Sequence, residues 1–303
     1  MADESRRPVV LEAQGDVVQG SRHRNSAYEL EGSSARLRFR EFFRNFRQGN
    51  VYIYRDALVR HWNRREYCVE VDVGHVNEYD AILTQALQTR PDEILPFFEQ
   101  GAKDALQLCL TQQNAELVNA ESVPDFQVVL KSSECTQSLR NLTADHVNKL
   151  IKVPGIVISC QKARAKATLM VVQCTKCLTV KRIPCKRASG GVVIPTKCDR
   201  GGQEGLGEDC GPAPFTVIAD SCEFIDQQSL KLQESPEVVP TGEMPRNITI
   251  FVDRYLVDKV VPGTRVSVMG VASLMNTGVK DKVGTNTSIR TQFLRCVGIQ
   301  VLL

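Results

Sequence analysis

The chain has 303 residues, 42% of them hydrophobic and 24% charged, enough for about two domains with ordinary cores at roughly 100 to 200 residues each. No stretch approaches the ~20 consecutive apolar residues of a membrane-spanning helix, and Gly and Pro, at 20 and 13 residues, are near average usage, so the pattern is globular rather than transmembrane or collagen-like. The net charge of +3 hides an asymmetry. Residues 1–150 carry 18 Lys+Arg against 22 Asp+Glu, and residues 151–303 carry 20 against 13. Such a basic half suits a polyanion such as nucleic acid, although a solvated lysine-rich surface gives the same surplus.

Residues 1–32 are rich in Ser, Gly, Glu and Arg and poor in large apolar side chains, a composition predicted to form a flexible arm. The amino end, MADESRRPVVLEAQGD, has no apolar run behind its charges, so the expectation is a reducing compartment and eleven cysteines that are not disulfides. Behind candidate caps at Ser33 and Ser34, Leu37, Phe39, Phe42, Phe43 and Phe46 alternate with arginines in helical register, closed by Gly49 and Asn50. The phenylalanines predict the packed face; the arginine face can be solvated, or can touch DNA or a neighbouring subunit. Tyr52–Tyr54 and Tyr67–Val71 read as short strands around a helix at Asp56–Trp62. Further helices are predicted over Asn77–Gln88 and Pro91–Leu110, with Pro91 suited to a first turn.

The polar stretch from Thr111 to Pro124 reads as a linker. The resulting domains are an arm at 1–32, a helical subdomain at 33–112, a linker at 113–124 and a β domain at 125–303. In that domain strand-like runs occur at Phe126–Leu130, Ile151–Ser159, Ala167–Gln173, Phe215–Ile218, Ile248–Phe251, Arg265–Ala272 and Phe293–Val301. Short strands without long intervening helices suggest a small closed barrel of the oligonucleotide-binding (OB) type, although periodicity alone does not separate it from a sandwich. The fold class is thus α+β, mainly β.

The strongest chemical signal is Cys174-Thr175-Lys176-Cys177 with Cys198 and Cys210 downstream. A Cys-x-x-Cys knuckle places two sulfurs on one side of a tetrahedral Zn²⁺, and the intervening residues have the length of a ribbon hairpin that returns two more. The insertion spans about 173–213, a unit too small to fold on its apolar core alone, which a structural zinc would hold together. Cys198 and Cys210 are separated by a glycine-rich loop rather than a tight knuckle, so Cys185 and Cys222 remain rivals for the fourth ligand. No phosphate-cradling GxxxxGK[ST], HExxH or GxSxG motif occurs, and His23, His61, His75 and His146 are far apart. No catalytic residue is expected.

The segments SLRNLTADHVNKLIKVPGIVI (138–158), RAKAT (164–168), the cysteine set and KLQESPEVVPTGEMPRNI (231–248), continuing into DRYLVDKVVPGTRVSVMGV (253–271), resemble the amino-terminal region of the minichromosome maintenance (MCM) replicative helicase family, with RAKAT, GEMPR and DKVVPG most similar to subunit five of the eukaryotic hexamer. FREFFRNFR and YRDALVRHW resemble that subunit's helical subdomain. The resemblance implies a helical A-subdomain, an OB-fold and a zinc ribbon inserted between OB strands. It implies that 232–246 is a loop communicating between the amino-terminal and ATPase rings, through Glu234, Pro236, Pro240, Gly242, Pro245 and Arg246. It places 272–293 as a channel-facing hairpin whose Lys280, Lys282 and Arg290 face DNA, with Lys162, Arg164 and Lys166 as a second basic patch. The implied partners are DNA, other MCM subunits in a hetero-hexamer, and loading and activation factors such as GINS, in the nucleus. ATP and Mg²⁺ would belong to an ATPase module beyond Leu303, leaving the present residues a non-enzymatic DNA-binding and ring-assembly role in DNA replication.

Overall fold

Two halves of different architecture follow one another in the computed structural model, which describes residues 32–113, 123–133, 136–185, 194–198, 210–276 and 290–302. The first is built from α1 (Gly32–Asn45), α2 (Ile53–Arg64), β1 (Cys68–Asp72), α3 (Val73–Tyr79), α4 (Ala81–Thr89) and α5 (Pro91–Gln113). On α1 the spacing of Phe39, Phe42 and Phe43 puts all three rings on the buried face, and Phe39 stacks on Phe98 of α5 at 4.1 Å between ring centres. Leu37, expected with them, points outward and is 48% exposed. Tyr52–Tyr54 is not a strand: Ile53 and Tyr54 open α2, where the Tyr54 ring is buried and its hydroxyl meets His75 Nδ1 at 2.8 Å. The single helix expected at Asn77–Gln88 is two. Asp80 ends α3 in extended geometry and caps α4, its carboxylate accepting from the Ile82 amide at 2.9 Å. Pro91 opens α5, with Asp92 and Glu93 in its first turn.

The strand β2 (Gln127–Lys131), grouped by sequence with the barrel, pairs in parallel with β1, from Cys68 opposite Gln127 to Asp72 opposite Lys131. Phe126, Val128 and Leu130 enter the helical core, while Val129 joins the barrel core. Burial on both faces explains its unbroken apolar run.

The second half contains β3 (Leu150–Cys160), β4 (Arg164–Cys174), β5 (Val180–Pro184), β6 (Phe215–Val217), β7 (Glu223–Gln233), β8 (Asn247–Asp253), β9 (Arg265–Asn276) and β10 (Arg290–Val301). Five of these close on themselves in the order β3-β9-β10-β8-β7, with β7 returning to β3. All pairs in the circuit are antiparallel except β10 with β8, which is parallel. This is the five-stranded barrel of the OB fold. At Gly155, where β3 passes between β9 and β7, an added Cβ would stand 2.5 Å from the Gln233 carbonyl oxygen. At Gly298 it would stand 1.8 Å from that of Leu130, so β2 lies directly on the barrel wall. The strand β7 was not anticipated: its sequence, EFIDQQSLKLQ, is mostly polar, and only Gln228, Leu230 and Leu232 are buried.

Candidate metal centre and nucleic-acid interface

The strand β4 outruns the barrel. Its first half pairs with β7, and its second half carries β5 on one edge and β6 on the other. At its end the chain turns sharply, with Leu178 at φ 55°, the Leu178 amide donating to the Cys174 carbonyl at 3.1 Å and the Cys174 amide to that of Thr179 at 3.0 Å. This knuckle aims Cys174 and Cys177 at one point. The opposing arm is tied to it by the Thr175 amide donating to the Pro214 carbonyl at 2.9 Å and the Ala213 amide to that of Thr196 at 2.8 Å. Positive φ angles at Gly211 and Ala213 bend the arm so that Cys210 returns beside Cys198.

The four Sγ atoms of Cys174, Cys177, Cys198 and Cys210 lie within 4.8 Å of one another, and those of Cys177 and Cys198 are 3.5 Å apart. Four thiolates about 2.3 Å from a tetrahedral ion require sulfurs roughly 3.8 Å apart, so the set fits such an ion. Hydrogen bonding at Thr179 draws the Cys177 thiol down to about 6, while burial and the neighbouring thiols push Cys210 up to about 12. A divalent cation would favour the thiolate form at every position. Neither rival belongs to this group of four, and Cys222 Sγ contacts the Ile218 carbonyl at 3.1 Å instead.

The basic residues fall in two places. Lys162 is exposed in the turn before β4, and Arg164 is exposed at its first position. Lys166, on the same strand, turns toward Asp253 at 3.8 Å and is half-buried in a cleft of about 740 Å³, where Phe224 is 53% exposed. Arg290 is exposed at the start of β10, opposite Asn276, whereas Lys280 and Lys282 lie outside the described residues. In the strand register Arg164 stands across β7 from Asp253, and Arg290 lies beyond the Asn247 end of β8. Arg164 and Arg290 are thus separated by roughly 20 Å of strand. They are not one site.

The segment 234–246 sits at the Arg290 end, bridging β7 and β8. Its organiser is a residue that the sequence reading did not single out. Glu234 is only 3% exposed, and Arg140, from the turn before β3, places Nε 3.1 Å from one carboxylate oxygen and 3.2 Å from the other. Arg140 also pairs with Glu243 and donates to the Met244 carbonyl at 3.3 Å, while the Arg246 amide donates to Glu234 at 3.0 Å. Pro236, Pro240 and Pro245 stiffen the span between, Gly242 supplies a left-handed turn at φ 87°, and Met244 projects at 89% exposure. A buried acid in an otherwise polar loop was the available signal for a partner, but its identity required the fold.

Comparison with known proteins agrees with this architecture. Residues 36–132 match the MCM N-terminal domain and residues 138–276 the MCM OB domain. A helical unit joined to an OB barrel carrying a four-cysteine ribbon therefore defines the class, and the chain belongs to the MCM family. Its relatives are of the subunit-five type: it is 37% identical over 284 residues to DNA replication licensing factor mcm5-B of Xenopus laevis, covering 90% of this chain and 38% of that protein. It is 36% identical over 282 residues to mcm5 of Dictyostelium discoideum, with 93% and 36% covered, and 37% identical over 267 residues to MCM5 of Arabidopsis thaliana, with 87% and 36% covered. The chain spans little more than a third of the length of these relatives, and neither matched domain is an ATPase domain.

Proposed function

We propose that this chain is the DNA-binding and ring-assembly module of an MCM replicative helicase subunit, acting in the nucleus during initiation and elongation of DNA replication. The observation that supports it most directly is the closed OB barrel with a four-cysteine ribbon inserted between its first two strands, joined to the family's helical domain. Zn²⁺ would be the ion at Cys174, Cys177, Cys198 and Cys210; with four protein ligands it has no open position, and its role is structural. ATP and Mg²⁺ would act in an ATPase module of the longer subunit. Partners are the other subunits of a hetero-hexamer and the loading and activation factors, GINS among them. DNA would be held by its backbone: Lys162 and Arg164 carry charge at one end of the barrel and Arg290 at the other, with Lys280 and Lys282, outside the described residues, as further candidates. The segment 234–246, with Glu234, Pro236, Pro240, Gly242, Pro245 and Arg246, would carry contacts between the rings.

Binding of labelled single- and double-stranded DNA tests the proposal. It should be indifferent to sequence and fall by orders of magnitude between about 50 and 200 mM salt, as counterion release demands. Charge reversal at Arg164 or Arg290 should weaken it further. Affinity that ignores both salt and these substitutions would favour a purely structural module contacting neighbouring subunits, whereas tight nanomolar binding by the monomer would favour a stand-alone single-strand-binding protein.

A further inference from the structure

From Arg36 to Arg65 the chain carries nine arginines, no lysine and two acids, Glu41 and Asp56. Two of the arginines are neutralised: Arg36 forks onto Asp104 at 2.6 and 2.7 Å, and Arg38 reaches Asp80 at 3.1 Å. Those beyond the end of α1 are arranged differently. A tight turn with Gly49 at φ 64° and paired amides between Gln48 and Val51 brings Arg47 next to Tyr52. The guanidinium of Arg47 lies 4.2 Å and that of Arg55 4.0 Å from the centre of the Tyr52 ring, so the two are no further apart than the sum of those distances. Arg47 also donates to the Tyr52 hydroxyl. Asp56, half-exposed and 3.3 Å from Arg55, is the one carboxylate paired with this group among the described residues.

Two guanidinium cations stacked on one ring repel one another, and a single exposed carboxylate does not neutralise both. Guanidinium is the group that binds tetrahedral oxyanions through two parallel hydrogen bonds, and the stack on Tyr52 holds two such forks in place before any ligand arrives. We propose that Arg47 and Arg55, organised by Tyr52, form a binding site for the phosphate monoester of a phosphorylated peptide. Two guanidinium forks fixed at one ring suit a single dianionic group with three terminal oxygens. A nucleic-acid backbone, with one charge per phosphate, is better served by cations in a line. This site is separate from the barrel and does not depend on the DNA-binding role.

The test titrates the chain with a fluorescein-labelled phosphoserine peptide of otherwise glycine and alanine, with its unphosphorylated counterpart, and with a short DNA duplex as competitor. The phosphopeptide should bind at least about tenfold more tightly than the serine peptide, and Arg47→Ala or Arg55→Ala should each remove about tenfold or more, the effect of losing one charge-assisted partner. Arg60→Ala, exposed further along α2, should bind as the parent does. Arg47→Lys keeps the charge over the ring, and so the local fold should Ala disrupt it, yet loses the fork; it too should weaken phosphopeptide binding. Equal affinity for the two peptides, or variants that bind like the parent, would overturn the proposal. So would displacement of the peptide by duplex at the same arginines with greater affinity, which would make the surface a nucleic-acid contact.

Discussion

Glu234 shows how much a single side chain can decide. An ionised carboxylate at 3% exposure is tolerable only because Arg140 stands against both its oxygens and the Arg246 amide donates to it. Removing one partner leaves the other charge buried and unpaired, so Arg140→Met should lower stability by about 3–5 kcal/mol in chemical denaturation, whereas Arg140→Met combined with Glu234→Leu should recover much of that loss. A small effect of the single substitution would show that the loop opens freely to water. Sequence reading placed Glu234 and Arg246 in this loop but not Arg140, because the contact joins residues 94 positions apart.

At the level of elements, the ribbon formed by the outer half of β4 with β5 and β6 has little apolar core, the burial along β5 alternating only between intermediate and exposed. A metal ion held by its four sulfurs would substitute for a core, its binding supplying folding free energy. Cys177→Ser should reduce bound metal from one equivalent per chain toward none by elemental analysis. It should also raise amide exchange across 175–184 and 210–217 while leaving β8, β9 and β10 protected. Protection unchanged along the ribbon would refute the dependence on metal. The cysteine spacing was legible because a knuckle is a local turn. The ends of the elements were less so: Asp80 interrupts a helical pattern whose periodicity runs through it, and Ile53–Tyr54 carries strand-forming residues that the buried Tyr54–His75 contact holds in a helix.

Across the whole molecule, the core of the helical half reaches into the barrel. Met269, Val271 and Val297 of the barrel pack into the same cluster as α1 and α5, and Arg254 with Glu99 and Arg295 with Asp92 tie α5 to the barrel from outside. The two halves should unfold together. The single tryptophan, Trp62, reports on the helical unit, so its fluorescence and the far-ultraviolet signal of the strands should give coincident melting curves, and Met269→Ala should lower both by the same amount. Separate transitions would mean that the shared contacts are incidental.

The residue order alone established the amphipathic helices, most barrel strands and the Cys174–Cys177 knuckle, because each rests on spacings of a few residues that the backbone turns directly into a face or a turn. Tertiary structure decided the rest. It placed β2 between two cores, recruited the polar β7 to close the barrel, separated the two basic patches along its wall, and brought Arg140 to Glu234. Those outcomes depend on pairing between distant segments, where burial and partner geometry outweigh the preference of any short stretch.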